Sequence, residues 1–432
     1  MFIKRLRAKN FRSFSNLDIE LNRLNILIGA NASGKSNFIG ILEFLRNISN
    51  HGLDNAISME GGVEYLRNMS IGSSEELLIG ITYEPKYNFA HGMEREGILV
   101  ALRHVDYQFS LRFHKRGKGF NIIADKIVLD YEFFGLQKEG KKSQKGNSLG
   151  VGQVVFEIGG RGKPKITTNL PPGLSIKSNY LFPPFLERNP GLFLGTLLLE
   201  TPLFSIANQF QSSLEDIAIY DFDPKLPKKA VSITGKTELE ENGSNLSIVL
   251  KNIVEDKEEK RKFLNLMQDM LPFVCDARVQ KFADRSLLFT LQEAYDKRAP
   301  HLPASFISDG TVNIAALIVA LYFEDKRFMI IEEPERNIHP YLISRLVSML
   351  KEVSERKQIV ITTHNSEFVK HAALEDLFLI TRDEHGFSNV SKPAGMEAVQ
   401  MFLENEMGID ELYIQNLLGV EHAAVQGLVH SY

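Results

Sequence analysis

The octapeptide "GANASGKS", residues 29–36, constrains this chain more than any other segment. It follows the apolar run Leu24–Ile28 and leads into residues 35–47, where Phe38, Ile41, Leu42 and Leu45 recur on one face at helical spacing. A buried strand, a glycine-bounded turn and a helix are therefore predicted in immediate succession. Gly29 and Gly34 let the backbone turn tightly and approach a ligand closely. The amide N–H groups of the turn, backed by the helix N-terminus, form a cradle for an anion. In that pattern Lys35 reaches the outer phosphates of a nucleotide and Ser36 offers its hydroxyl to Mg²⁺. The candidate nucleotide-binding residues here are Gly29, Asn31, Ala32, Ser33, Gly34 and Lys35, continued by Ser36 and Asn37. The plainer alternative, a glycine turn beside a solvated lysine, is disfavoured by the placement between buried strand and helix.

A phosphate cradle hydrolyses nothing by itself. Carboxylates are needed, and in open α/β sheets ligands bind at the carboxyl edge of the strands. The run "FMIIEEPE" supplies them: Phe328 to Ile331 are apolar, and Glu332 and Glu333 follow. Adjacent strand residues point in opposite directions. Glu332 is therefore assigned to the Mg²⁺ shell and Glu333 to the general base, against the plainer reading of a solvated acidic turn. A third apolar run, "QIVITTHNSEF", ends on His364, whose imidazole is suited to hydrogen-bond a γ-phosphate or the attacking water. The segment "FISDGT" precedes a strongly apolar helix. Ser308, Asp309 and Thr311 read most simply as a helix cap, and alternatively Ser308 and the Gly310 N–H read as a second anion site from which Asp309 must point away.

A chain of 432 residues exceeds one small core, and two or three structural units are expected. Strands around one helix open the chain, and "GLQKEGKKSQKGNSLGVG" (135–152), with Lys138, Lys141, Lys142 and Lys145, reads as a polar loop. Residues 191–222 and 245–271 read as helical, with "DPKLPKKA" (223–230) as a connector. The last third alternates apolar strands with helices, the pattern of a parallel sheet covered on both faces. The expected division is 1–160, 161–272 as a helical insertion, and 273–432. Net charge is −4, so nucleic-acid contact needs a local patch; Arg5, Arg7 and Lys9 on one strand, or Lys225, Lys228 and Lys229 in the connector, are the candidates. The single cysteine, Cys275, excludes an internal disulfide and a cysteine metal cluster. No apolar stretch reaches membrane-spanning length and the amino end lacks a signal peptide's apolar core, so a cytoplasmic protein is expected.

These four segments in this order resemble the ATP-binding-cassette type of ATPase, in its SMC/RecF-like branch. "GANASGKS" is similar to Walker A, "FISDGT" to the signature motif, "FMIIEEPE" to Walker B and "ITTH" to the switch histidine; "NFRSF" after the first strand is similar as well. "EEPERNIHP", "GGVEYL" and "IDELYIQNLLG" bring it nearest to RecF/OLD-like prokaryotic ATPases of the AAA type, without their TOPRIM nuclease domain. The resemblance implies an α/β P-loop NTPase of ABC/SMC-head type, with a mostly parallel core sheet, an antiparallel β subdomain and a helical insertion. It implies ATP and Mg²⁺ as ligands, and two heads paired head to tail around ATP, as a homodimer or higher oligomer. Ser308 and Gly310 would then meet the γ-phosphate held by the partner's Lys35, residues Asn337 to Pro340 would cross the interface, and Arg12 would approach the nucleotide. Three departures stand out: Glu332–Glu333 replaces the usual Asp–Glu, Asp309 replaces the signature's second glycine, and no glutamine completing the Mg²⁺ shell is evident, the segment after Gly62 being the place to look.

The expected function is an ATP-driven switch controlling DNA binding or a separately encoded effector, in anti-phage defence or DNA repair. An OLD-like nuclease and a nucleotide-sensing scaffold with little hydrolysis are the alternatives. The nuclease requires a metal-dependent domain after His364, for which no paired aspartates at strand ends are seen.

Overall fold

The computed structural model describes residues 2–85, 90–93, 97–114, 119–139, 142–159, 164–174, 195–200, 211–282, 285–295, 300–396, 399 and 409–414. The chain divides into two compact units. One comprises Met1–Asn22, Ser36–Ile217 and Arg382–Val390; the other comprises Arg23–Lys35, Ala218–Thr381 and Ser391–Tyr432. The division at Ile217/Ala218 falls inside the stretch expected as a helical insertion.

The first unit is built on an antiparallel sheet. Its order is Phe14–Glu20, Phe2–Phe11, Leu77–Glu84, Ile98–Phe113, Phe120–Glu139, Lys142–Gly159 and Pro164–Asn169, with Ala90–Met93 beside Ile98–Phe113. Alternation sets the register of its first strands: Leu6 lies opposite Ile19 on one side and Ile81 on the other, all buried. The polar loop expected at 135–152 is instead part of a long ribbon, in which Glu139 pairs with Lys142. Residues 145–151 of that ribbon are largely solvated, so the period-2 apolar signal that marks a half-buried strand is absent there. Lys145 places its ammonium 3.8 Å from the centre of the Phe134 ring; Lys141 and the side chains of Lys138 and Lys142 lie outside the described residues.

The proposed basic strand face is corrected by its neighbours. Arg5 pairs with Asp18 at 2.5 Å, Arg7 with Asp106, and Lys9 with Glu75 at 2.8 Å. Each cation stands opposite a carboxylate contributed from another strand or its flank, so the stripe is charge-compensated and makes a poor phosphate-binding surface.

The second unit carries the core sheet, in the order Ile217–Tyr220, Phe328–Glu332, Gln358–Thr363, Leu24–Ile28 and Leu377–Arg382. The last four are parallel and their central residues are fully buried, as continuous apolar runs require. Ile217–Tyr220 corrects only the end of the helical reading of 191–222: residues 211–215 are helical, Leu198–Glu200 is a short helical turn, and 191–194 and 201–210 lie outside the described residues, while a four-residue apolar run carries no period that separates strand from helix.

Alternate strand residues Leu24, Ile26, Ile28, Met329, Ile331, Ile359 and Ile361 share one core with the helix Asp309–Tyr322. That helix is buried from Thr311 to Leu321 on every side, as its nearly unbroken apolar sequence demands. Ile343–Ser354 is amphipathic and buries Ile343, Leu346, Val347, Leu350 and Val353. Two helices, Leu246–Glu255 and Lys257–Met270, are separated by Asp256, whose carboxylate caps the second by accepting from Glu258 N and Glu259 N, both at 2.9 Å. They pack with a small antiparallel sheet containing Val274–Phe282 and Ser286–Glu293. Among the described residues, no helix is long and apolar enough to cross a membrane.

Candidate functional site

Register decides where the chemistry gathers. Glu332 lies opposite Thr362, and Thr363 lies opposite Ile28, so three strands reach their carboxyl edge at one level. The loop 29–34 leaves from the third of these strands and the Glu332–Glu333 turn from the first. Gln358–Thr363 lies between them and delivers His364 to the same edge. Segments remote in sequence are thereby brought to one place by strand order alone.

The loop has the form of an anion cradle. Ala32 and Gly34 both have positive φ, 62° and 119°, and Ser33 N donates to Ala30 O at 3.1 Å. A Cβ at Gly29 would overlap the Ile380 carbonyl and the Ser33 hydroxyl, so the backbone there has no room for a side chain. Asn31 and Ala32 are exposed, while Ser33, Gly34 and Lys35 are buried. Lys35 Nζ donates to Gly29 O at 2.6 Å and to Ala30 O at 3.0 Å. Burial pushes its ammonium below the usual lysine range, and Glu333, Glu335 and Glu332 oppose that shift in this order. Helix Lys35–His51 continues the chain, with Ser36 exposed at its second position and Asn37 donating to the Ser13 hydroxyl at 2.7 Å.

The acidic turn is held under strain. Glu333 has φ of 43° and precedes Pro334, a left-handed backbone that costs about 1–3 kcal/mol for a residue with a side chain. Its N–H donates to Thr362 O at 3.0 Å, which fixes it to the neighbouring strand. His364 Nδ1 lies 3.1 Å from one Glu333 carboxylate oxygen, and Arg336 donates to the other at 3.3 Å. Arg336 also donates to Asp221 at 2.8 Å and to Phe222 O at 3.3 Å. Glu332, half-buried, is the last residue of the strand.

Glu335 was not singled out by sequence reasoning. It is 7% exposed, accepts a hydrogen bond from the Thr363 hydroxyl, and burial pushes its carboxyl above the usual range. The Thr363 hydroxyl also accepts from Asn365 N at 3.0 Å, so Glu335 anchors the turn that carries His364. Its place in "EEPE" was visible; its burial was not, because acidic residues after a strand are usually solvated.

The segment "SDGT" caps Asp309–Tyr322: Ser308 Oγ accepts from Thr311 N at 3.1 Å. Gly310 lies against the Asn337 carbonyl, which a Cβ would overlap. Asn313, one turn into the helix, donates to Arg336 O at 2.7 Å and Pro334 O at 3.3 Å. The signature-like helix thus holds the loop that follows the acidic turn. Asp309 is ion-paired with Lys228.

Arg12 belongs to the first unit. It has φ of 46°, and its guanidinium pairs with the buried Glu60. Asn10, also at positive φ (54°), donates to Gly72 O and Glu75 O at 3.0 and 2.9 Å, and Asn68 donates to Arg12 O at 2.7 Å. The "NFRSF" turn is therefore the clasp for residues 66–75. Arg12, Arg67 and Arg382 line a cleft of about 520 Å³ in this unit.

The donor set suits a Mg²⁺ ion brought by a nucleotide. Among the described residues, no three His, Cys, Asp or Glu side chains gather to hold a metal on their own. A hydroxyl and a single strand-end carboxylate, with phosphates and water completing the shell, is how such ions are held.

A family model described as "AAA ATPase domain" matches residues 1–149, and one described as "AAA domain, putative AbiEii toxin, Type IV TA system" matches residues 191–370. Septu protein PtuA of Bacillus thuringiensis is 26% identical over 103 residues, 22% of this chain and 26% of that protein. DNA replication and repair protein RecF of Streptococcus uberis is 42% identical over 52 residues, 12% of this chain and 14% of that protein. The chain spans about a quarter or less of the length of these curated relatives.

Similar solved structures include an Smc head bound to the C-winged helix domain of ScpA (14% identity, TM-score 0.44, covering 90% of this chain and 97% of that one). The SMC head domain from Thermotoga maritima is another, at 13% identity and TM-score 0.37, with coverages of 91% and 99%. The fold assignment rests on the parallel strand order and on the loop–helix at its edge. Two separate ATPase-domain models thus match residues 1–149 and 191–370, and over these stretches the chain is similar to AAA-type ATPase domains.

Proposed function

We propose that this chain is an ATP-hydrolysing switch that pairs head to tail on ATP and, through pairing and release, controls a separate effector or DNA. The observation that carries the reading is the meeting of Lys35, Glu333 and His364 at one sheet edge. In it the amides of 29–34 and Lys35 bind the β- and γ-phosphates. Ser36 and Glu332 would hold Mg²⁺, which would supply positive charge against the developing negative charge of the phosphates. Glu333 takes a proton from water as its oxygen attacks the γ-phosphorus; the bond to the β-phosphate oxygen breaks, and ADP and phosphate leave. His364, fixed by Glu335 through the Thr363 turn, stays within reach of Glu333 and the attacked phosphate. Ser308 and Gly310 serve the γ-phosphate of a second copy.

Control of a protein effector is favoured over direct DNA contact. The stripe Arg5, Arg7 and Lys9 is compensated by carboxylates, and Lys228 in the connector is engaged by Asp309. The stretch similar to Septu protein PtuA supports a defence setting, and that similar to RecF supports a repair one.

Ser308→Arg tests the pairing. Its long cation fills the space beside Gly310, so ATP-driven pairing and turnover are expected to fall to background, while titration with a fluorescent ATP analogue gives an unchanged monomer affinity. Equal turnover by parent and variant would refute a role for this face.

A further inference from the structure

The segment "DPKLPKKA" (223–230), a plain connector by sequence, forms with the preceding Asp221 and Phe222 a braced strap in the structure. Asp221 N donates to Glu241 O at 2.9 Å and Asp223 N to Asn242 O at 3.2 Å. Arg336 reaches the Asp221 carboxylate at 2.8 Å. Asp223 closes the following turn by accepting from Lys225 N at 3.0 Å, and Lys229 N donates to Leu226 O at 3.0 Å. From this fixed backbone Lys228 reaches Asp309, with its side chain only 19% exposed.

Asp309 is the signature's odd residue. It is the first residue of the helix Asp309–Tyr322, flanked by Ser308 and Gly310. An unpaired carboxylate there would occupy the positive end of the helix dipole and repel an incoming phosphate. An exposed ion pair would matter little. This one has a largely buried cation on a braced strap, and its anion stands between the two groups assigned to phosphate.

We propose that Lys228 is a positioning residue that holds and neutralises Asp309, so that the helix end presents Ser308 and Gly310 to the γ-phosphate bound by a second copy of this chain. The inference rests on the head-to-tail reading above. It replaces the signature's second glycine, which presents no charge, by a carboxylate whose charge is cancelled from a distant segment.

The test is made in full-length Glu333→Gln protein with Mg-ATP, following mass by light scattering across a concentration series. Adding Lys228→Ala is expected to raise the concentration needed for pairing by at least about tenfold, the scale of an uncompensated like charge at an interface. Adding Asp309→Asn as well is expected to return pairing to within about threefold of the starting protein, an outcome that loss of a merely structural contact would not give. Pairing unchanged by Lys228→Ala, or a double substitution as defective as the single one, overturns the inference alone. Failure of Glu333→Gln itself to pair overturns the head-to-tail reading and the inference with it.

Discussion

Lys35→Ala is expected to lose most of the chain's ATP affinity. The side chain is nearly buried, its ammonium already satisfies two loop carbonyls, and three glutamates bear on it. Without it, a triphosphate entering the cradle meets Glu332, Glu333 and Glu335 with only Arg336, on Glu333, to offset their charge. Losing a buried cation that meets a charged partner costs about 2–5 kcal/mol or more, so affinity should fall by roughly thirty- to several-thousandfold. Isothermal titration with Mg-ATP measures it directly. Affinity within tenfold of the parent would mean that the loop 29–36 holds something other than the outer phosphates.

Glu333→Gln has the second large effect, of a different kind. The amide keeps an oxygen that can accept from His364 Nδ1 and preserves the shape of the turn, but it cannot take a proton from water. Turnover is expected to drop by about 10²–10⁴, the range of a lost general base, while ATP binding is kept. With hydrolysis blocked, the closed pair has no exit, and mass in Mg-ATP should shift to twice the chain and persist. Single-turnover phosphate release measures the rate. A variant that hydrolyses like the parent would remove Glu333 from the base role and turn attention to Glu335, the buried carboxyl beneath the His364 turn.

The parts of the site legible in the sequence are those written in short runs: the loop 29–36, the pair Glu332–Glu333, and His364 after its strand. Each follows an apolar run whose length and flanks identify a buried parallel strand, and parallel strands put their carboxyl ends on one edge. What escaped reading depends on partners far apart. Arg336 bridges Glu333 to Asp221, 115 residues earlier, and no local period announces such a contact. Lys228 looked like one of several surface lysines until its carboxylate was located. Arg5, Arg7 and Lys9 read as a basic face because the opposing acids sit on neighbouring strands. In the fold, the 120–159 ribbon was missed where solvent bathes it, since a strand without a buried side loses the alternation that reveals it.

The site assembled from Lys35, Glu333 and His364 completes itself, in this account, with Ser308 and Gly310 of a second copy. Mixing two inactive chains tests that claim most directly. A Lys35→Ala chain keeps an intact signature, and a Ser308→Arg chain keeps an intact cradle. Combined in equal amounts, they can form one whole site per mixed pair, and ATP turnover should reappear at up to about a quarter of the parent rate, the statistical share of such sites. Turnover that stays at background in the mixture, or a Ser308→Arg chain that is fully active alone, would contradict a site shared between two copies.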